Sequence, residues 1–518
     1  MSGNAKSDCN NCNKGGSSIE HNAVNSCQTY AFWFLVGSQH LYGDETLRQV
    51  DAHAGAIVDG LNGSGLLPCP VAFKSVLTTP DAITKIIREA NNAPECAGVI
   101  TWMHTFSPSK MWIAGLSILS KPYCHLHTQF NRNIPDTEID MDFMNLNQSA
   151  HGDREHGFIG ARMRLARKII VGYWQDEAVI RQLGSWMRSA VGAIFSRSLK
   201  VVRFGDNMRQ VAVTEGDKVE AQIKLGWQVN TWPVGDLVSL MSSLTEADID
   251  NQLEEYASRY VVKGLNALNA PEIRYQAKEE IAIRRLLTSE GAWAYSNTFE
   301  DLHGLEQLPG LASQDLMAKG YGYGGEGDWK TAAMVAIVKA MTAGMGGGTS
   351  FMEDYTYDLA PGNELSLGAH MLEVCPSLSS DKPSIEVHAL GIGGRKPPAR
   401  LVFEGHPGKA TAASLVDMGG RLRLIVAQVE AVRPIYQMPN LPVARVMWKS
   451  LPSFTEAARC WILAGGAHHT VFSYDADATM LEDWAEIMGI EFVRIGEGMT
   501  YDTLKRDLLT ADIAWKLR

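Results

Sequence analysis

The chain has 518 residues, of which 45% are hydrophobic and 20% charged, as in an ordinary water-soluble globular protein. Its net charge of −11 argues against broad binding to nucleic acids or anionic membranes, and no apolar run is long enough to span a bilayer. A chain of this length is expected to form two to four domains, each with its own core.

The first 30 residues are polar and lack both the apolar stretch of a secretory signal and the arginines of a transit peptide. They predict a disordered leader at residues 1–30. Cys9 and Cys12 form a CxxC there, with Cys27 nearby, and a lone CxxC does not identify a zinc or redox site. The other cysteines lie in apolar surroundings and are expected to be reduced, buried thiols of a cytoplasmic protein: Cys69, Cys96, Cys124, Cys375 and Cys460.

From residue 31 onward, apolar strand signals alternate with amphipathic helices. A strand at 31–37 and a helix at about 44–62 begin the pattern, which predicts a doubly wound parallel α/β domain over residues 31–198. Ligands of such sheets lie beyond the carboxyl ends of the strands. The loops predicted at those ends are residues 38–43, 104–107 and 145–151.

A second alternating segment covers residues 199–346 and ends in a helix predicted at 329–343, which is apolar all round and therefore buried. The remainder, residues 347–518, is richer in strand signals. The fold class predicted is thus two Rossmann-like doubly wound α/β domains followed by a β-rich C-terminal domain.

The seam between the second and third domains carries most of the chemistry. Glu326 lies in a Gly-rich loop, and Asp328 is placed to cap the helix that starts near Trp329 and stops near Gly344. A carboxylate at a helix entrance also has a purely structural explanation, because the helix dipole stabilises it. The next strand is predicted at 349–357, where period-two alternation places one carboxylate among aromatic rings on a single face: Phe351, Glu353, Tyr355 and Tyr357.

Histidines supply a second set of candidate ligands. His370 is predicted at the start of an apolar strand, and His468 and His469 at the mouth of another. Neighbouring strand residues point to opposite faces, so at most one of that pair is expected to face a shared site. Two glutamates with two histidines suit a divalent ion such as Mn²⁺, but their spacing leaves a metal site and separate structural roles equally open.

Other motifs are less specific. Residues 322–327 match GxGxxG, but a helical run precedes them where a dinucleotide-binding fold needs a strand. The run GMGGGTS at 344–350 lacks the lysine of a phosphate-binding loop and predicts a tight turn into a strand. The first domain also contains a group of histidines, each more typical of a polar loop than of a ligand set, with His151 favoured because its loop enters a helix: His104, His125, His127, His151 and His156.

Six long motifs together resemble the L-arabinose isomerases: WFLVGSQHLYG, MNLNQSAHGDREHGFIGARMR, GEGDWKTAA, GGTSFMEDYTY, LGAHMLEVCP and WILAGGAHHTVF. The resemblance runs from about residue 31 to near the C-terminus. It implies the three-domain fold shared with L-fucose isomerases, a homohexamer whose sites are shared between subunits, and one Mn²⁺ per subunit, with Co²⁺ or Mg²⁺ as possible substitutes. The implied metal ligands are Glu326, Glu353, His370 and His469.

The same matching implies functional roles for further residues. Those near the metal ligands are Asp328, Glu373 and His468, expected to act in catalysis together with Glu326 and Glu353. Sugar contacts are implied, some of them from a neighbouring subunit, for Gln39, Leu41, Tyr42, Phe106, Gln148, His151, Met208, Phe299, Phe351 and Tyr355.

The reaction implied is the interconversion of L-arabinose and L-ribulose through a metal-stabilised ene-diolate, with D-galactose to D-tagatose as a second activity. Glu326 and Glu353 would transfer the proton, and His468 would assist ring opening. Three alternatives stay open at this point: an isomerase of the L-fucose type, a non-catalytic sugar-binding protein and an NAD-dependent enzyme. Neither nucleic acid nor a membrane is an expected partner.

Overall fold

The computed structural model describes residues 29–262 and 267–517. The predicted leader, with Cys9, Cys12 and Cys27, lies outside this range apart from its last two residues. No helix in the described part is long and apolar enough to cross a membrane. Cys96, Cys124, Cys375 and Cys460 are buried free thiols, as predicted, and burial raises the pKa of Cys96 to about 11.

The N-terminal part is a five-stranded parallel sheet in the order β2-β1-β3-β4-β5. Its central strands are apolar on both faces because helices cover both: Phe32 and Phe34 face one buried cluster, Trp33 and Leu35 the other. This confirms the doubly wound arrangement. The elements are β1 (Ala31–Gly37), β2 (Val71–Leu77), β3 (Cys96–Met103), β4 (Tyr123–His127), β5 (Lys168–Val171), α1 (Gly43–Gly63), α2 (Pro80–Asn92), α3 (Ile113–Ser117), α4 (Met141–Leu146), α5 (Arg154–Arg162) and α6 (Glu177–Ser196).

The middle part contains a four-stranded parallel sheet in the order β10-β9-β6-β7. The helix predicted from residue 329 is present and is buried along nearly its whole length. The elements are β6 (Lys200–Phe204), β7 (Gln228–Trp232), β8 (Val261–Val262), β9 (Ala294–Asn297), β10 (Gly322–Gly324), α7 (Lys218–Leu225), α8 (Val234–Ser242), α9 (Glu246–Arg259), α10 (Pro271–Glu290), α11 (Leu311–Ala318) and α12 (Trp329–Met341).

The C-terminal part is β-rich, as predicted, and its largest sheet closes on itself. Its elements are β11 (Thr349–Asp358), β12 (Leu365–Ala369), β13 (Ser384–Val387), β14 (Ala399–Val402), β15 (Gly408–Asp417), β16 (Leu422–Val432), β17 (Arg445–Ser450), β18 (His469–Ser473), β19 (Glu491–Ile495), α13 (Phe454–Ala464), α14 (Ala478–Met488) and α15 (Tyr501–Lys516). Six antiparallel strands run β15-β18-β11-β12-β17-β16, and β16 pairs again with β15 to form a barrel. β19 adds to β16 in parallel.

A small sheet joins the last two parts of the chain. β8 pairs in parallel with β13, which pairs with β14 in antiparallel orientation. Backbone hydrogen bonds therefore cross the predicted domain limit between residues 346 and 347.

The prediction that Phe351, Glu353, Tyr355 and Tyr357 share one face of β11 is wrong, because the strand contains a bulge. Asp354 pairs with Gly368 and Thr356 pairs with Leu367, so Tyr355 is an extra residue that breaks the alternation. Tyr357 therefore shares a pocket inside the barrel with Asp354, whereas Tyr355 stays with Glu353.

The two Gly-rich motifs have structural roles. Within GxGxxG, residues 322–324 form β10, a strand that the sequence did not predict, and a Cβ on Gly324 would lie 2.1 Å from the Asp328 carbonyl oxygen. Glycine there lets the strand approach α12 closely. The run before β11 is the predicted turn, and its Gly347 and Gly348 N–H groups donate to the Asp475 carboxylate, which fills the position that an anion would take.

Candidate active site at the seam

Three neighbouring strands place candidate ligands at one edge of the barrel. Glu353 on β11 pairs with His469, the first residue of β18, on one side and with Ala369, the last residue of β12, on the other. His370 follows Ala369 directly. It therefore ends a strand, and its predicted position at the start of one is wrong. The pairing of these strands brings together residues that are more than a hundred positions apart in the chain.

Glu326 reaches the same edge from the loop between β10 and α12. Its φ of 56° lies in the left-handed region, which is uncommon for a residue other than glycine. The loop is held on both sides, because the Met208 N–H donates to the Glu326 carbonyl (2.9 Å) and the Gly327 N–H to that of Asn297 (2.8 Å). Strained backbone held in this way is typical of functional sites.

A carboxylate orients each of the two buried histidines. Nδ1 of His370 lies 2.5 Å from Glu373 Oε2, and Nδ1 of His469 lies 3.2 Å from Asp328 Oδ2. A carboxylate only accepts hydrogen bonds, so Nδ1 of each ring carries a proton and Nε2 is the nitrogen left to bind a cation. Asp328 also accepts from the Thr331 N–H at the start of α12, which confirms the predicted helix cap.

Both adjacent histidines approach Glu326, so the prediction that at most one would do so is wrong. Glu326 Oε2 lies 3.3 Å from His468 Nε2 and 3.8 Å from His469 Nε2. His468 precedes β18 and is free of the strand's alternation, which lets its ring turn toward the same carboxylate.

The hydrogen bonds shift the pKa values of these groups. The bond with His468 lowers the pKa of Glu326, and the same bond raises the pKa of His468. Burial alone would lower the pKa of His370, but the Glu373 carboxylate raises it to about 9. Burial lowers the pKa of His469 despite its bond to Asp328.

The site opens into a cavity of about 190 Å³. One wall is polar and the other is apolar, the combination expected of a pocket that orients a small polar ligand. Predicted site residues that line it are Glu326, Glu353, Tyr355, His370, Glu373 and Phe299. Phe351 packs edge-on against the rings of His370 and His469, at 4.9 and 5.0 Å between centroids.

The donor set fits a divalent cation. Nε2 of His469 is buried, has no hydrogen-bond partner and faces a carboxylate oxygen. Imidazoles held through Nδ1 by carboxylates are the usual arrangement behind metal-binding histidines. The tightest group comprises Glu326, His468 and His469, with ligand atoms within 4.8 Å of one another, so His468 lies closer to Glu326 than the sequence indicated.

The sequence also matches known proteins. Family models of the L-arabinose isomerase N-terminal, central and C-terminal domains match residues 26–198, 200–344 and 348–491. The chain is 56% identical over 496 residues to an L-arabinose isomerase of Geobacillus stearothermophilus, covering 95% of this chain and 100% of the relative. It is 57% identical over 489 residues to that of Anoxybacillus flavithermus (94% and 97%) and 56% over 488 residues to that of Thermotoga maritima (94% and 98%).

The chain belongs to the L-arabinose isomerase family. The three-domain α/β and β-rich fold predicted from the resemblance is confirmed.

In this member of the L-arabinose isomerase family, a second group of predicted sugar-contact residues lies at the N-terminal sheet. The three predicted loops do meet: the Gln148 N–H donates to the His104 carbonyl (2.8 Å), its side-chain amide donates to the Tyr42 hydroxyl (3.2 Å), and Phe106 stacks on His151 (4.9 Å). Leu41 beside them is 82% exposed. Of the described residues in these loops, which include Gln39, none lines the seam cavity of the same chain.

Sequence reasoning missed two polar residues of the cavity. Tyr323 on β10 donates through its hydroxyl to Asn297 Oδ1 and Glu373 Oε1, both at 3.2 Å. Asn297 ends a parallel strand, a position that could have identified it. The apolar wall had no comparable signal in the sequence and comprises Leu302, Leu308, Pro309, Met371, Leu372, Leu390 and Ile392.

Proposed function

We propose that this chain is an aldose–ketose isomerase that interconverts L-arabinose and L-ribulose. The observation that carries the proposal is a pair of carboxylates, Glu326 and Glu353, that line one cavity beside two histidines oriented by Asp328 and Glu373. The names of the close relatives give the substrate.

The chemistry requires a proton to move between two neighbouring carbons of the open-chain sugar. One glutamate takes the proton from C2 of the aldose, the electron pair forms the C1–C2 double bond, and the C1–O1 double bond opens to leave the negative charge of an ene-diolate on O1. The proton is then returned to C1, while the O2 hydroxyl loses its proton and O1 gains one. Glu326 and Glu353 are the acid–base pair, because both carboxylates lie at the cavity.

His468 acts earlier, on the cyclic sugar. Its ring is hydrogen-bonded to Glu326 and its side chain is 36% exposed, so it is accessible to an incoming sugar. Passing a proton between the anomeric hydroxyl and the ring oxygen opens the ring.

Glu326, Glu353, His370 and His469 would hold one divalent cation per subunit, Mn²⁺ in first place and Co²⁺ or Mg²⁺ as substitutes. When bound, such a cation supplies Lewis-acid stabilisation of negative charge on the sugar oxygens. Asp328 and Glu373 keep the two imidazoles in the ligating tautomer.

The sugar contacts divide between two subunits of a homohexamer. The subunit that forms the cavity contributes Met208, Phe299, Phe351 and Tyr355. The N-terminal loops, with Gln39, Leu41, Tyr42, Phe106, Gln148 and His151, approach the cavity of a neighbouring subunit, which is consistent with the exposure of Leu41. We further propose a cytoplasmic location and keep the domain limits at residues 198 and 346.

D-galactose is a second substrate, converted to D-tagatose. It differs from L-arabinose by one additional hydroxymethyl group, and a cavity with an apolar wall discriminates such small differences by only about 1–3 kcal/mol.

The test is ketose formation by chelator-stripped protein with and without added Mn²⁺. L-ribulose that appears from L-arabinose only with Mn²⁺ supports the proposal for both reaction and cofactor. Folded protein that forms no ketose under either condition contradicts it. L-fucose, tested in parallel, identifies an isomerase of the L-fucose type if it is the sugar converted. Equilibrium dialysis with L-arabinose identifies a protein that binds the sugar without converting it.

A further inference from the structure

Two histidines at the end of β4 share one buried carboxylate. His125 Nε2 lies 2.6 Å and His127 Nδ1 lies 2.5 Å from the same oxygen, Asp153 Oδ2. The histidines are two residues apart on a strand, so both side chains leave it on the same face. Asp153 comes from the turn just before α5. None of the three lines the seam cavity, so this cluster is separate from the seam ligands of its own chain.

The carboxylate is fixed from behind. Its other oxygen, Oδ1, accepts from the Met103 N–H at 3.0 Å, and the Asp153 side chain has no exposed surface. Burial opposes ionisation, but the hydrogen bonds from His125 and His127 hold the pKa of Asp153 below its usual range. An ionised, oriented carboxylate is thus available to a cation.

Access and neighbours also suit a bound ion. His125 is buried, whereas the side chain of His127 is 26% exposed, which opens one side of the cluster to solvent. The ring of His156 packs edge-on against His125 at 5.2 Å, and its Nδ1 is buried without a hydrogen-bond partner.

We propose that His125, His127 and Asp153 form a second metal site that binds Zn²⁺. Two imidazole nitrogens and a carboxylate oxygen within 4.8 Å of one another provide three ligands and leave the fourth position, on the His127 side, to water. Nitrogen ligands favour Zn²⁺ over Mg²⁺ or Ca²⁺, which prefer oxygen.

The ion would connect β4 to the turn Ser149–Asp153 and, through Met103, to the end of β3. That turn includes His151 and directly follows Gln148. Metal binding there stabilises the folded N-terminal sheet by mass action and fixes the loop that carries two of the predicted sugar contacts.

The test measures Zn²⁺ binding by this cluster in the full-length chain. In a Glu326→Ala/His469→Ala background, which removes two of the four ligands proposed at the seam, the stripped protein is equilibrated with Zn²⁺, desalted and analysed by elemental mass spectrometry. We expect one Zn²⁺ per chain and a thermal unfolding midpoint raised by Zn²⁺. Adding His127→Gln should weaken binding by about 100-fold or more and abolish that rise, because removing a direct ligand costs at least as much as removing an outer-shell partner.

The matched control is His151→Gln, an exposed histidine of the same turn outside the cluster, which should keep both the Zn²⁺ and the thermal shift. Equal Zn²⁺ binding with and without His127→Gln overturns the proposal, as does the absence of bound Zn²⁺ in the starting background. Crystals of the double variant soaked in Zn²⁺ test the unchanged cluster directly. An anomalous peak between the three ligand atoms supports the site, and no peak leaves only a hydrogen-bonded histidine pair and overturns it.

Discussion

Among the described residues, one histidine–carboxylate cluster lies at the seam and another lies in the N-terminal sheet, and the two are connected differently. At the seam, Asp328 and Glu373 each bind one histidine through Nδ1, and the free Nε2 atom of His469 faces a third carboxylate. In the N-terminal sheet a single carboxylate, Asp153, contacts two histidines directly. The seam therefore separates the groups that orient a ligand from the groups that react. The N-terminal cluster has no such separation, because Asp153 itself contacts both histidines.

The largest effect is expected from Glu353→Gln, which removes the acid–base function and preserves shape. We expect kcat for L-arabinose to fall by about 10²–10⁴-fold while the circular dichroism spectrum stays unchanged. Glu364→Gln, on the loop after the same strand, is the control and should retain activity. Turnover above a tenth of that of the unchanged chain would reject the role of Glu353.

Glu373→Gln tests whether the seam carboxylates act by orienting imidazoles. Weakening the contact with His370 Nδ1 should reduce Mn²⁺ affinity by about 10–100-fold, measured by calorimetry on stripped protein. Tyr323→Phe removes a hydroxyl that donates to the same carboxylate but leaves its charge, and should change affinity far less. Unaltered Mn²⁺ binding in Glu373→Gln would mean that the pair is merely structural.

A pH effect is expected from the N-terminal sheet. Burial, reinforced by neighbouring His53, lowers the pKa of His104 to about 3. Below pH 6.5 the unfolded chain binds a proton that the folded chain does not, so the free energy of unfolding falls by up to about 1.4 kcal/mol per pH unit between 6.5 and 3 and is unaffected above that range.

His104→Gln should make the urea midpoint of unfolding less dependent on pH between 7 and 5. His303→Gln replaces an exposed histidine and should leave the dependence as it is. Identical pH profiles for the unchanged chain and His104→Gln would contradict this account.

The smallest effect is expected from Tyr357→Phe. Because the bulge turns Tyr357 away from the seam cavity, kcat/KM for L-arabinose should stay within about twofold, as for a substitution away from the site. Tyr355→Phe, on the cavity side, is the sensitive partner variant and should raise KM. Equal losses in both variants would indicate an unbroken alternation along β11.

Local patterns predicted much of this structure. Strand–helix alternation gave the parallel sheets, the polar residue before α12 gave its cap, and the quoted motifs led to the family. The bulge at Tyr355 and the position of His370 after β12 were missed because both depend on the register in which β11 and β12 pair, which the alternation along a single strand does not show. The approach of His468 to Glu326 depends on where β18 begins, a boundary that apolar patterning defines only to within a few residues.

The histidines of the N-terminal sheet also show that local patterns do not predict which distant residues meet. His125 and His127 carry a period-two spacing that predicts a shared face, but nothing in that spacing indicates Asp153, which is contributed by a separate turn. Only the parallel pairing of the strands and the path of the loop bring the three together.

The small sheet of β8, β13 and β14 has a consequence for recombination between relatives. A chimaera joined near residue 346 would take its hairpin from one parent and the strand beside it from the other. The two parents would have to match in this backbone pairing. A crossover near residue 198 keeps β8 with β13 and β6 with β9 from a single parent, so it should give functional hybrids more often.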